Sequence, residues 1–308
     1  MPKPDDKKRK SGDGQAAKGN SAKRQKKGSD DDEIGFLVAN TCGLNAGKFG
    51  KLETMADDHD LNVILVQEGV PSSSLDFVPT KKWHKIVTSE TPDPTQMTFD
   101  GMKAVPAVGM SRFYNAFVRK GSGIAVDELT FEPLKSKRLM EHIRGGPEIS
   151  TTTSRGRVVV KPKDPAKVNL LGLRKPQVLK FCKPGRQPLV AYNYHAPQGS
   201  GSAKGYSGMD APRGHEVMGR VIEDRGDPNT ILAGDQNAHL QSMRTHYPGK
   251  TIISADGPDR LSHSAISKGL NAEPIDLEGA GVAFNNKGAS DCSDHSAYAF
   301  AVYLPQDK

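Results

Sequence analysis

Asp235 and Asn237 sit two residues apart at the end of Ile231-Leu232-Ala233-Gly234-Asp235-Gln236-Asn237-Ala238-His239. A short apolar run that halts at a glycine reads as a buried strand delivering oxygen ligands at its tip. Side chains two apart on an extended chain point the same way, so a carboxylate and an amide here can converge on one hard cation or one phosphate. Asp, Gly and Asn also favour turns on their own account, and this stretch alone reads first as a plain strand-to-turn junction. The chemical reading gains weight from other places in the chain. Asn40 closes the run Gly35-Phe36-Leu37-Val38-Ala39, Gln67-Glu68 closes Leu61-Asn62-Val63-Ile64-Leu65-Val66, and His195 follows Tyr192-Asn193-Tyr194.

Those residues need strands to carry them. Residues 35–39 form a strand signal ended by the turn chemistry of Thr41-Cys42-Gly43-Leu44-Asn45, and a helical stretch through Lys48, Leu52, Met55 and Ala56 leads to a second buried strand at 61–66. Strand, helix, strand with polar residues at both strand ends is a βαβ-type opening, in which the carboxyl ends of the strands bear the site. Further strand-like runs occur at Phe113 to Val118, Val158 to Val160, Val178 to Phe181, Leu189 to Tyr194 and Ala297 to Tyr303, with a helix from about His215 to Asp224. That alternation suits an α/β or α+β sandwich.

With 308 residues and 35% hydrophobic content the chain can build a substantial core. No apolar run reaches membrane-spanning length, and no hydrophobic segment follows the lysine-rich start, so neither a membrane span nor a secretory signal is expected. Cys42, Cys182 and Cys292 are far apart and lack CxxC spacing, which argues against a disulfide framework or a zinc site and suggests buried or incidental thiols. A net charge of +7 favours a polyanionic partner. From Met1 to Glu33 large apolar residues are almost absent, so this segment is expected to be disordered, with the folded part beginning at Ile34 and running to residue 308. Two basic clusters, Lys7, Lys8, Arg9 and Lys10, then Lys23, Arg24, Lys26 and Lys27, have the spacing of a bipartite nuclear localisation signal for an import receptor. A solubilising tail and a nonspecific nucleic-acid arm are the alternatives; two clusters with a spacer favour the nucleus over the cytoplasm.

Taken in order, Asn40, Gln67-Glu68, Arg174-Lys175-Pro176-Gln177-Val178-Leu179-Lys180-Phe181, Tyr192-Asn193-Tyr194-His195-Ala196-Pro197, Gly234-Asp235-Gln236-Asn237 and Ser293-Asp294-His295 resemble the successive motifs of the endonuclease/exonuclease/phosphatase superfamily, the deoxyribonuclease I-like proteins. Within it, the cytolethal distending toxin nuclease subunit and the endonuclease domains of non-LTR retrotransposons are both similar to the chain. The resemblance spans about residues 34 to 304. It implies a four-layer sandwich of two mixed β-sheets flanked by helices, with the active site at one edge between the sheets.

Phosphodiester cleavage needs a charge-neutralised phosphate, an activated water and a stabilised leaving oxygen. Glu68 is the candidate ligand for Mg²⁺, or Mn²⁺ in its place, with Asn40 on a phosphate oxygen or a metal-bound water and Asp294 adding to the cation site. His295 is the candidate general base, Asp235 would orient the attacking water, and Asn237 would hold the phosphate. His195 would donate to the phosphate or leaving oxygen and Arg174 would grip a nonbridging oxygen. Taken singly, His195 reads equally as a structural histidine and Arg174 as a surface cation. Basic residues at Arg155, Arg157, Lys161, Lys163 and Lys167 stand in a Gly/Thr/Pro-rich region expected to be a loop, either tracking a nucleic-acid backbone or simply solvated.

Two departures from the family matter. Arg260-Leu261-Ser262-His263 puts Ser262 where the family carries an aspartate that orients the last histidine. The strand around Arg112-Phe113-Tyr114 lacks the glutamate that would support His195. The sequence therefore reads as a Mg²⁺-dependent endonuclease acting on DNA. The alternatives are a phosphatase of phosphoinositides or other small phosphoesters, and a catalytically weakened nucleic-acid-binding or effector protein.

Overall fold

Every residue of β1, Glu33–Asn40, is buried, and its side chains divide between two cores. Phe36 and Val38 enter one core while Leu37 and Ala39 enter another. Neighbours along a strand face opposite ways, so a continuous apolar run needs cover on both sides. That requirement produces the layered architecture. The computed structural model describes residues 32–90, 98–99, 102–103, 113–132, 149–154, 157–162, 174–196, 211–255, 261–277 and 296–307. Both basic clusters of the N-terminal segment, Cys292, Asp294 and His295 lie outside the described residues.

One six-stranded sheet has the order β15 (Asn271–Ile275), β16 (Tyr298–Tyr303), β1, β2 (Val63–Gly69), β6 (Phe113–Arg119), β3 (Trp83–Ser89). The other has the order β13 (Thr251–Ser254), β14 (Ser262–Ile266), β12 (Thr230–Asp235), β11 (Leu189–Asn193), β10 (Gln177–Cys182), β7 (Ala125–Leu129). Each sheet has one parallel pair at its centre, β1 with β2 and β11 with β12, among antiparallel neighbours. Two hairpins, β4 (Thr98–Phe99) with β5 (Met102–Lys103) and β8 (Ile149–Ser154) with β9 (Arg157–Pro162), complete the described strands.

Phe36 ties the facing sheets together, meeting Phe181 edge-on at 5.6 Å and stacking on Phe300 at 5.2 Å. On the outer face of the first sheet lies α1, Ala46–Asp58, started by Asn45, whose side chain accepts from the Lys48 N–H at 2.9 Å. Phe49, Leu52, Met55 and Ala56 fall on one helical face and pack on Leu37, Ile64 and Val66. On the outer face of the second sheet, α2 (Ala211–Arg225) and α3 (Leu240–His246) bury Val217, Met218, Val221 and Met243 against Val190, Tyr192 and Leu232. The result is the four-layer sandwich of two mixed sheets that the deoxyribonuclease I-like resemblance implied. No helix among the described residues is long and apolar enough to cross a membrane.

Some expectations are corrected. Glu33, counted with the tail, is the first residue of β1, because its backbone pairs with Tyr303. The strand-like run at Val158 to Val160 is the centre of β9, which reaches Arg157 and Lys161, so these two basic residues lie on a strand and not in a loop; Arg155, Lys163 and Lys167 are outside the described residues. Of the buried and incidental readings of the thiols, the exposed Cys42 fits the incidental one.

His215, on the buried side of α2, makes the fold acid-sensitive. Burial pushes its imidazole down to about 4 from the ordinary 6.5, outweighing the upward pull of a hydrogen bond to the Gln236 carbonyl. A ring neutral in the folded chain and protonatable in the unfolded one contributes stability that is fully present above pH 6.5 and is lost as pH falls through 4. The shift corresponds to about 3 kcal/mol. Thermal denaturation followed from pH 7 to 4 should show Tm falling through this window and a shallower fall in His215→Gln; parallel slopes in the two proteins would refute the assignment.

Candidate active site

The two central parallel pairs bring four strand ends to one place. β1 ends at Asn40, β2 carries Glu68 near its end, β12 ends at Asp235, and His195 lies just beyond β11. Asn40 and Asp235, from different sheets, are joined directly: the Asn40 amide donates to Asp235 Oδ2 at 3.0 Å. Asp235 Oδ1 accepts from the Asn237 backbone N–H at 3.0 Å. His195 is fully buried behind them, with Nε2 3.4 Å from Asp235 Oδ2 and 3.6 Å from Glu68 Oε1.

The other face of the ring supplies a residue that sequence reasoning missed. Nδ1 of His195 lies 3.2 Å from Glu90 Oε2, and the second Glu90 oxygen accepts from the Glu68 backbone N–H at 2.9 Å. The expectation that His195 lacks a supporting glutamate is therefore corrected. The carboxylate comes from the residue after β3, while Tyr114 on β6 contributes a hydroxyl that accepts from the His195 N–H at 3.1 Å. A signal existed: Ile86-Val87-Thr88-Ser89 is a β-prone run closed by a carboxylate, like the other site-bearing strands.

Arg174 and Asn237 also meet. The Asn237 amide donates to the Ala196 carbonyl at 2.7 Å and Arg174 Nη1 donates to the same oxygen at 3.3 Å. The structure thus brings Asn40, Glu68, Arg174, His195, Asp235 and Asn237 together, while Asp294 and His295 lie outside the described residues. Ser262 pairs with Asp235 across the β12–β14 ladder, which puts the two side chains on one face of the sheet. It is buried, and its hydroxyl has no hydrogen-bond partner among the described residues.

Backbone irregularity aims these groups. The β2–β6 register shifts between Val66 and Gly69, and Glu68 within this bulge has a φ of 50°, in the left-handed region that a glutamate rarely occupies. Asn115 pins the bulge by pairing both its amide atoms with the backbone of Val70, accepting at 2.9 Å and donating at 2.8 Å. Beneath the site a chain of buried amides crosses between the sheets. Gln67 donates to Asn193 at 2.6 Å, Asn193 donates to Gln177 at 3.1 Å, and Gln177 donates to Thr88 at 2.9 Å.

Which residues suit a cation follows from their chemistry. Oxygen donors from Glu68 and Asp235 suit a hard cation that keeps most of its waters. Among the described residues no group of three or more His, Cys, Asp or Glu side chains gathers around a common point as a metal cage. Glu68 is 14% exposed, whereas His195 and Asp235 are fully buried, so Glu68 is the carboxylate more open to a hydrated ion. Asn40 is turned differently from expectation: its amide nitrogen serves Asp235 and its oxygen accepts from the Cys42 N–H at 3.2 Å. That orientation makes it foremost the donor that fixes Asp235.

No family model matches the sequence, and no curated protein matches it either. Among solved structures the chain is similar to D. rerio TDP2 complexed with single strand DNA product, at 11% identity over 89% of this chain and 99% of that chain, with a TM-score of 0.44. It is similar to the endonuclease/exonuclease/phosphatase from Bacteroides vulgatus at 12% identity, covering 89% and 99% of the two chains, with a TM-score of 0.46. It is also similar to the human Nocturnin catalytic domain with bound sulfate, at 12% identity, covering 89% and 94%, with a TM-score of 0.45. These are remote likenesses, and what the site can do is set by its own atoms.

Gly234 is where the site tolerates no side chain. Its φ is 138°, and a Cβ there would stand 2.2 Å from the Tyr194 carbonyl oxygen. Gly234→Ala must move β12 away from the strand end that leads to His195, and should destabilise by about 3 kcal/mol or more. Denaturant unfolding measures this; a loss near zero would mean that Asp235 and His195 are not held as tightly as described.

Proposed function

We propose that this protein is a magnesium-dependent phosphodiesterase that cleaves DNA internally. The observation that supports it is one buried imidazole, His195, faced by Glu90 on one side and by Asp235 and Glu68 on the other. With Glu90 at Nδ1, Nε2 is the nitrogen presented to the reacting group. His195 in this reading donates its Nε2 proton to a phosphate or leaving oxygen. Asp235, held by Asn40 and the Asn237 N–H, orients the attacking water. Asn237 and Arg174, gathered at the Ala196 carbonyl, direct their remaining N–H groups to nonbridging oxygens. Glu68 would hold the cation, aided by Asp294 and, through its waters, Asn40; when bound, the cation supplies neutralisation of phosphate charge. His295 completes the set as general base.

DNA as substrate is supported by the net charge of +7 and by the basic clusters, for which we propose a nuclear import receptor as partner and the nucleus as location. A second reading rests on Ser262. With a hydroxyl where the family places an aspartate, one of the two histidines loses its support, and a weakened enzyme that mainly binds nucleic acid becomes the alternative. The Glu90–His195 pair argues against complete loss of turnover.

Conversion of supercoiled plasmid to nicked circles, in Mg²⁺ or EDTA, tests these readings. Nicking should require the cation, fall about 10²–10⁴-fold in His195→Ala, fall less in Glu90→Gln, and rise in Ser262→Asp. DNA retention without nicking at any metal concentration would favour the binding protein, and hydrolysis of phosphoinositides with no nicking would move the activity to the phosphatase class.

A further inference from the structure

Of the three buried histidines among the described residues, His195 faces the reacting groups and the other two have no part in the chemistry above. Both reach the turn that follows β12. His215 on α2 places Nε2 2.9 Å from the Gln236 carbonyl oxygen, and His263 on β14 places Nε2 2.9 Å from the Ala238 carbonyl oxygen. A carbonyl only accepts, so each ring carries its proton on Nε2. In a neutral ring Nδ1 is then the acceptor, and each Nδ1 faces a hydroxyl able to donate: Tyr247 at 3.0 Å for His215 and Ser254 at 2.9 Å for His263. The two rings arrive from separate elements and repeat the same pattern on the carbonyls either side of Asn237.

Asn237 needs such restraint. Its φ of 45° lies in the left-handed region, and its N–H is committed to Asp235 Oδ1 at 3.0 Å. The Gln236–Asn237 peptide carries both the carbonyl held by His215 and the N–H held by Asp235, so its rotation would disturb the Asp235 carboxylate and the Asn237 side chain together, while His263 fixes the chain one peptide beyond Asn237. The Gln236 side chain adds a weaker tie, donating to the His263 carbonyl at 3.4 Å. We propose that His215 and His263 are positioning residues that clamp the Asp235–Ala238 turn from both sides, setting the directions in which Asp235 and Asn237 meet substrate. The inference rests on reading that turn as part of the phosphodiesterase site.

The test pairs substitutions that keep ring volume but lose the donor, His215→Phe and His263→Phe, with His215→Gln and His263→Gln, whose amides can still donate to the carbonyl. Each protein is assayed well below its own Tm. The Phe variants should lose about 10²-fold in kcat for plasmid nicking, the scale expected for a small misplacement of reacting groups, with KM within about twofold and the loss largely recovered in the Gln variants. Unchanged kcat in the Phe variants, or equal losses in Phe and Gln, would overturn the clamp. Side-chain ¹H–¹⁵N correlation spectra of the wild type give a readout independent of turnover or of variant folding: both rings should be Nε2–H tautomers with slowly exchanging protons, and an Nδ1–H tautomer in either would overturn it. If the wild type shows no phosphodiesterase activity but the spectra are as expected, the functional reading falls; the clamp then stands if the Asp235 and Asn237 backbone shifts move in the Phe variants and return in the Gln variants, and falls if they do not.

Discussion

The contact on which the site depends is the hydrogen bond from Gln67 to Asn193, 2.6 Å long and buried between the sheets. Hydrophobic burial presses the sheets together but has no direction, so Phe36 against Phe181 and Phe300 does not by itself decide how far one sheet slides over the other. The amides do. Gln67 precedes Glu68, Asn193 precedes His195 by two residues, and Gln177 begins the strand that follows Arg174. Each link stands next to a site residue, and a buried amide left unpaired costs about 1–3 kcal/mol. Sliding the sheets would break several of these bonds together, and the distance between Glu68 and His195 is held by that penalty.

Local geometry sharpens what the amides align. Glu68 and Asn237 both have left-handed backbone, and both stand where a regular strand would send the side chain elsewhere. Such conformations persist when their surroundings over-determine them. For Glu68 the surroundings are Asn115 on Val70 and the Glu90 carboxylate on its own N–H; for Asn237 they are Asp235 and the hydrogen bonds of its neighbours. Glu90 has two duties, fixing the Glu68 backbone with one oxygen and facing the His195 ring with the other. The Glu68 backbone and the His195 ring are thereby mechanically linked.

That linkage makes the site asymmetric. His195 has a carboxylate at its ring, whereas Ser262, paired with Asp235 across β12–β14, presents only a buried hydroxyl. A hydroxyl can take part in a hydrogen bond but carries no charge to stabilise an imidazolium. Among the described residues, carboxylate support in the site is concentrated on His195.

Much of this was legible in the sequence because strands buried on both faces read as continuous apolar runs. β1, β2, β11, β12 and β16 are of that kind, and the polar residues at or just past the ends of the first four, Asn40, Glu68, His195 and Asp235, stand out in the chain for that reason. Harder to see were the four sheet edges β3, β7, β13 and β15, whose side chains are largely half-buried or exposed and therefore mix polar with apolar residues. Glu90 follows β3, one of these mixed strands. Local sequence thus determined the kinds of groups and the strands that carry them, since burial on two faces is written in the chain itself. Tertiary structure alone decided that Glu90 meets His195 from 105 positions away and that Asn40 reaches Asp235 across 195. Those pairings are set by how the two sheets pack, and no local pattern encodes the packing of one on the other.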